Sequence, residues 1–437
     1  MHNARRQFGE LRSLLEEQDR DVTWVARLVD LTQQVRRTNE SAYAEQWAPY
    51  LEARAHTWPS PLLEIGSFDQ LAHLDQLLPC ATWSLCLRKR ILQSGGVGSI
   101  VLSPHMRNVV ELDLSRNNIQ DGDVCAIASS PHLSRLRTLD VSENVIASEG
   151  AEQIANSPHL SGVEVLIVRD NYIRSGGVRA LVTSPFLVNL RALDVERNGI
   201  DDDGFAALAE SPGTPTLLML SLGANDVSEE GVRAIAHSRY LSRLEHLSIN
   251  HARIGRVGLD AILGAEFAPN LKHLELLMNE LDADAIEGVD FSTLTRLESL
   301  LLDFNDIGSR GAASLARSTS LTNLKRLGLS RNSIGDDGAK AIAESRCLSS
   351  LSRLVLDGNP IGPEGFDALA NSPRLRQGLR AECADMGRRL IESYRTEGDS
   401  IVHDLQEVME ELEVRVEQGP LEPTDIGLLE DTDPLDE

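Results

Sequence analysis

The chain has 437 residues, 41% hydrophobic but only 4% aromatic, and carries 42 Lys and Arg against 67 Asp and Glu, a formal net charge of -25. That length fits two or three compact domains or one elongated array, while the charge argues against a non-specific grip on nucleic acid or anionic lipid, because long-range repulsion opposes both. The opening MHNARRQFGELRSLLEEQ has no apolar run of signal-peptide length, and no later stretch approaches the roughly 18 to 20 apolar residues that span a bilayer, so a cytoplasmic location away from membranes is expected.

Residues 1–79 show helical periodicity in FGELRSLLEE and VARLVDLTQQV, then a Trp- and Pro-marked stretch, WAPYLEARAHTWPSPL, and are expected to form a helical N-terminal cap or domain. Cys80, Cys86, Cys125, Cys347 and Cys383 make an odd set with no close metal-type pair, which fits reduced thiols better than a disulfide framework. From residue 80 the chain repeats itself. LDLSRNNI, LDVSENVI, LIVRDNYI, LDVERNGI, LSLGANDV, LSINHARI, LELLMNEL, LLLDFNDI, LGLSRNSI and LVLDGNPI align, with a shared slot at Asn117, Asn144, Asn171, Asn198, Asn225, Ala252, Asn279, Asn305, Asn332 and Asn359. Every step is 27 residues except the 26 from Asn279 to Asn305. A glycine column (Gly150, Gly177, Gly204, Gly231, Gly258, Gly311, Gly338, Gly365, with Ala285 in the gap) and Ser-Pro pairs beginning at Ser103, Ser130, Ser157, Ser184, Ser211 and Ser372 keep the same phase.

Each column has a physical reason. The L-x-L segment buries alternate side chains of a short strand, and the Asn amide satisfies backbone groups in the turn that follows. Segments such as GAEQIA and GFAALA carry apolar residues at helical spacing, with Asp and Glu before them suited to a helix N-terminus and Pro to end the helix. The unit resembles the leucine-rich repeat family, in its ribonuclease-inhibitor-like branch with bacterial-type 27-residue repeats. That resemblance covers residues 80–379, about eleven coils including a degenerate LCLRKRIL with Arg90 at the Asn slot. It implies an α/β leucine-rich repeat solenoid: a curved horseshoe with a concave parallel sheet and convex helices, closed by helical N- and C-terminal caps. Residues 380–418 are expected to add a C-terminal helical segment with an apolar stripe through Ile401, Leu405, Val408, Met409, Leu412 and Val416. Residues 419–437 are expected to be a disordered acidic tail, within a stretch from 397 onward that holds 15 acidic residues and one basic.

Motifs for chemistry are missing. There is no nucleophile elbow, Walker loop or His-Glu-x-x-His, and SGGVGSI at 94–100 lacks the P-loop Lys-Ser or Lys-Thr. The triple Asp at 201–203 fits helix capping better than calcium, having no twelve-residue ligand loop. His105, His132 and His159 recur after Pro as duplicated loop residues, and His246 with His273 and Glu275 has the spacing to meet on one sheet face, but no fourth ligand is dictated. No enzyme, cofactor or metal is therefore expected.

The outward strand positions distinguish one region. In the first four full coils charges alternate in sign, with Arg116 beside Glu143, Arg169 beside Glu196 and Asp170 beside Arg197, a hydrated and self-neutralised surface. The middle coils instead present Met219, His246, Asn250, His251, His273, Glu275, Leu277, Met278, Leu301, Asp303 and Phe304. Leu277, Met278, Leu301 and Phe304 are expected to form an exposed apolar patch that anchors a protein or peptide partner on the concave face, with the polar members setting orientation. An array of this kind followed by an acidic tail also looks like the Ran GTPase-activating protein family, which implies regulation of a small GTPase as the alternative.

Overall fold

The computed structural model describes residues 22–38, 63–77, 81–90, 92, 96–214 and 216–396, together with Gln7, Glu10, Leu11, Ser13, Leu14, Leu15 and Leu51. Twelve short parallel strands follow one another in chain order across a single sheet. They are β1 Leu63–Ile65, β2 Trp83–Cys86, β3 Val109–Asp113, β4 Thr138–Asp140, β5 Val165–Ile167, β6 Ala192–Asp194, β7 Met219–Ser221, β8 His246–Ser248, β9 His273–Glu275, β10 Ser299–Leu301, β11 Arg326–Gly328 and β12 Arg353–Val355. A helix lies between each successive pair. Strand residues one repeat apart pair directly, as in Leu112 with Leu139 and Leu247 with Leu274, so the Leu column from β2 to β11 enters one continuous core. The sheet starts earlier than the boundary expected at residue 79: β1 pairs Leu63 with Trp83 and Ile65 with Leu85, a coil outside the common phase.

Three ladders hold the coils together. The amide of Asn144 accepts from the backbone N–H of Asn117 and of Ile119, both at 2.9 Å, and donates to the carbonyls of Leu114, Val141 and Ser142. Asn171 and Asn305 repeat this arrangement, so each buried turn is tied to the coil before it. The serine column makes a second ladder: Ser130, Ser157, Ser211, Ser238 and Ser345 donate their hydroxyls to the helix-end carbonyls of Val101, Ala128, Val182, Ala209 and Ala316 at 2.5–2.6 Å. Those carbonyls have no partner within their own helix. A third ladder explains the acidic residues before the glycines. Asp201 caps its own helix, but Asp202 accepts from Ser228 N–H at 2.8 Å and Gly231 N–H at 3.1 Å, at the start of the next coil's helix. Asp336 does the same for Gly362 and Gly365. The glycine is required because a Cβ at Gly231 would sit 2.5 Å from the Asp202 carboxylate and 2.5 Å from Val227.

The 26-residue step shortens a helix. Between β9 and β10 only Ala283–Ile286 is helical, and Arg256 from the preceding coil donates to the carbonyls of Asp284 and Glu287 where the helix stops. At the N-terminal end, helix Val22–Thr38 buries Leu28 and Val35 beside helix Phe68–Leu77. Helix Phe68–Leu77 locks onto the first full coil through Asp75, whose buried carboxylate accepts from Asn108 Nδ2 at 2.9 Å and lies 3.1 Å from His105 Nδ1. At the other end, helix Gln377–Thr396 packs on helix Pro363–Ala370 and buries Leu379 and Cys383. The stripe expected from Ile401 onward and the tail at 419–437 lie outside the described residues.

Candidate binding face

Side chains alternate along each strand, so one set enters the core and the other lines the concave face. The lateral pairs expected there form: Arg116 Nε is 2.7 Å from Glu143, Arg169 is 3.6 Å from Glu196, and Arg197 is 3.8 Å from Asp170. Three residues beyond the end of each strand from β3 to β11 one residue adopts the left-handed region: Arg116, Glu143, Asp170, Arg197, Ala224, His251, Met278, Phe304 and Arg331, with φ between 48° and 58°. The backbone N–H of each continues the inter-coil ladder beyond the strands, as from Met278 to Asp303 O at 3.1 Å and from Phe304 to Ser330 O at 2.8 Å. That column of side chains forms one rim of the face. A left-handed conformation is unusual for large side chains, and this repeat imposes it in every coil.

The N-terminal half is not uniformly hydrated. Val165, Ile167 and Ala192, all nearly buried, form with Met219 an apolar cluster separate from the core. Met219 therefore belongs to a different patch from Leu277 and Phe304. Beside this cluster lie acids whose ionisation burial makes harder: Asp140 is raised to about 6, and Asp194 to about 8 with the Glu196 charge adding to desolvation.

A polar bridge crosses the centre. Glu196 reaches over β7 to accept from Ser248 Oγ at 3.0 Å, which is possible because Gly223 lies between them and a Cβ there would be 3.0 Å from the same carboxylate oxygen. Asn250 donates to Ser248 at 2.9 Å and accepts from Leu277 N–H at 2.9 Å. His246 stacks on His273 with ring centroids 5.5 Å apart, and its Nε2 lies 3.6 Å from Glu275. Among the described residues no group of three His, Cys, Asp or Glu has the arrangement to hold a metal ion. Burial depresses His246 to about 4 and raises Glu275. His251 stands exposed on the rim.

The four expected apolar anchors differ in depth. Leu277 and Met278 are half-buried and Phe304 is 39% exposed, with Arg331 stacked over its ring at 5.1 Å. Leu301 is only 7% exposed, because it leans into space left by Gly328, where a Cβ would be 3.0 Å from Leu301 Cδ2. It supports the patch from beneath and is not itself an exposed anchor. Asp303 crosses the same glycine to accept from Ser330 N–H at 2.8 Å, so it holds the strand as well as lining the face. Arg326 and Arg353, opposite one another on β11 and β12, complete this half.

The upward shifts of Asp140 and Asp194 have a consequence for stability. Both bind protons more tightly folded than unfolded, so their contribution is full below about pH 4 and is lost as pH rises through about 6 for Asp140 and about 8 for Asp194. His246 works oppositely and penalises the fold only as pH falls below its ordinary 6.5. Asp194→Asn is expected to stabilise the chain increasingly from pH 5 to pH 9, roughly the interval over which the wild-type carboxyl ionises. Melting curves across that range that shift in parallel for the two chains would contradict the assignment.

Six segments, residues 105–128, 132–155, 187–209, 293–316, 320–343 and 347–370, match the Leucine Rich repeat family model. No curated protein matches the chain by sequence. Among solved structures, it is similar to an internalin from Listeria monocytogenes at 17% identity and a TM-score of 0.41, covering 76% of this chain and 94% of that one. It is also similar to the protein in a TLR13–ssRNA13 complex at 20% identity and a TM-score of 0.34, covering 68% of this chain and 50% of that one. No helix among the described residues is long and apolar enough to cross a membrane. The matched segments and the open twelve-strand parallel sheet, with a helix between successive strands, make this fold a leucine-rich repeat solenoid.

Proposed function

We propose that the chain is a non-enzymatic protein-interaction module of the ribonuclease-inhibitor-like, 27-residue type, acting in the cytoplasm and taking a protein or peptide on its concave face. The observation that carries this reading is Phe304, a large aromatic side chain 39% exposed on the rim, beside Met278 in the column where other coils place Arg, Glu and Asp. Exposed apolar surface bounded by polar side chains is the usual composition of a protein-binding site. Leu277 extends the patch inward, while His246, Asn250, His251, His273, Glu275 and Asp303 surround it with groups that orient a partner's polar atoms. Met219 offers a second apolar contact across the polar bridge, suited to a ligand lying along the sheet.

Leu277→Asp combined with Phe304→Asp is expected to abolish partner capture from native extract, since two anchors of about 1.5–3 kcal/mol each correspond to roughly a hundredfold or more in affinity. The circular dichroism of the double variant should match wild type. Undiminished capture by a folded double variant removes the proposal.

A further inference from the structure

We propose that the outer edge of β12 is an interface at which a second copy of this chain adds its own β12, antiparallel, about a two-fold axis through Val355. The edge shares no residue with the proposed binding patch. Among the described residues β12 ends the sheet and pairs only with β11. Arg353 N–H donates to Lys325 O, and the carbonyls of Val355 and Asp357 accept from Leu329 and Arg331, so residues 353, 355 and 357 bond toward β11. The backbone groups of Leu354 and Leu356 therefore point outward. Core packing is incomplete at the same place: Leu354 is half-buried, whereas each of its counterparts from Leu85 to Leu327 is at most 1% exposed. The C-terminal helix lies against helix Pro363–Ala370, with Gly387 at Phe366, and leaves Arg353 and Gly358 exposed. An open edge of this kind is a template for another strand.

Self-complementarity selects a second copy as the occupant. Across an antiparallel pair each side chain must keep its face, and an outward-bonding residue must meet another to exchange both hydrogen bonds. Centring the pair on Val355 meets both conditions. Leu354 then lies opposite Leu356 of the second copy and extends the core across the junction, while Val355 meets its own counterpart on the axis. Arg353 lies opposite Asp357, and two-fold symmetry makes that ion pair twice. Centring on Leu354 or Leu356 keeps the hydrogen bonds but sets Arg353 against Val355 or Asn359, and both ion pairs are lost. Four residues apart on one strand, Arg353 and Asp357 are separated by roughly 13 Å of backbone, whereas directly opposed residues bring their Cβ atoms to about 5 Å. Within the chain each also has a neighbour of like charge, Arg326 beside Arg353 and Asp303 near Asp357.

Sedimentation velocity of the full chain from about 1 to 100 µM tests this. So short an edge belongs to the weak, transient class of contacts, so wild type is expected as a monomer at the low end of that range and increasingly as a dimer toward the high end. Arg353→Glu alone sets carboxylates against each other at both ends of the edge, and Asp357→Arg alone does the same with guanidinium groups; each is expected to weaken association about tenfold or more. Both substitutions remove a like-charge neighbour within their own chain, so circular dichroism should match wild type. An equimolar mixture of the two variants opposes unlike charges again and should restore the dimer, a rescue that neither unfolding nor a different interface would produce. Val355→Cys, treated with a thiol oxidant, should give a disulfide-linked dimer in yield well above wild type, because opposed residues on the axis bring their Cα atoms to about 4.5 Å; this measurement stands even where a charge variant unfolds. A monomer throughout the range, a dimer that survives either single reversal, or a mixture no more associated than its components overturns the proposal. So does a Val355→Cys chain that is monomeric when pure yet crosslinks to a different polypeptide in native extract, since the edge would then seat an extended segment of another protein.

Discussion

Asn144→Ala is expected to be the most damaging single substitution in the regular part of the solenoid, lowering stability by about 3–5 kcal/mol. Its amide accepts from two backbone N–H groups of the preceding coil and donates to three carbonyls, all buried. Alanine would leave the N–H groups of Asn117 and Ile119 without this acceptor, and each buried group left unmade is worth about 1–3 kcal/mol. Among the regular coils the chain contains one such vacancy, at Ala252. There Asn279 of the following coil still accepts from Ala252 N–H at 2.9 Å and donates to the Ile249 carbonyl, but position 252 itself has no side-chain amide to tie it to the coil before. Urea unfolding should show the full loss, whereas Val145→Ala, at an exposed neighbour, should change stability by less than about 0.5 kcal/mol. A loss below about 1 kcal/mol at Asn144 would mean that the ladder follows the fold without holding it.

Asp75→Ala is expected to detach the N-terminal helix from the solenoid, at about 3 kcal/mol, because it empties a buried polar socket. Asn108 Nδ2 donates to one carboxylate oxygen at 2.9 Å, while His105 Nδ1 at 3.1 Å and Arg107 at 3.7 Å face the other. The same Asn108 accepts from Arg135 at 2.9 Å, so the network extends from helix Phe68–Leu77 into two coils. End coils of a solenoid expose apolar surface when uncapped, so the variant should unfold in two steps and become more prone to self-association. Hydrogen exchange confined to residues 63–113 would report the first step. A single cooperative transition at the wild-type urea midpoint would contradict this role for Asp75.

Much of this arrangement was legible because a fixed repeat acts as a lattice. Once Asn117 to Asn359 share a phase, lateral neighbours follow by counting, and the pairs Arg116–Glu143, Arg169–Glu196 and Asp170–Arg197 appear where counting puts them. What escaped was whatever depends on the neighbour rather than on the column. Leu301 reads as outward, yet it sinks because the residue beside it on the next coil is Gly328. The cluster of Val165, Ile167, Ala192 and Met219 is signalled by apolar residues in outward slots of three successive coils, but charged residues alternate around it in the same slots. The coil at β1 lies twenty residues before β2 and shares no phase with the others, so periodicity could not find it. Glycine usually marks a left-handed position, and here only Gly358 does so in a column otherwise filled by larger residues. Acidic residues at a helix start suit that helix's own N-terminus, yet Asp202 and Asp336 bond the next coil, a contact that leaves no local trace in sequence.

Whether the apolar step at Phe304 is where a partner sits can be measured by photocrosslinking. A benzophenone side chain placed at position 304 should give an adduct with another polypeptide in native extract, and one placed at Val188, 58% exposed but away from the strands, should not. Adducts of equal yield from both positions, or none from 304 while the folded protein still captures its partner, would contradict recognition on the concave face.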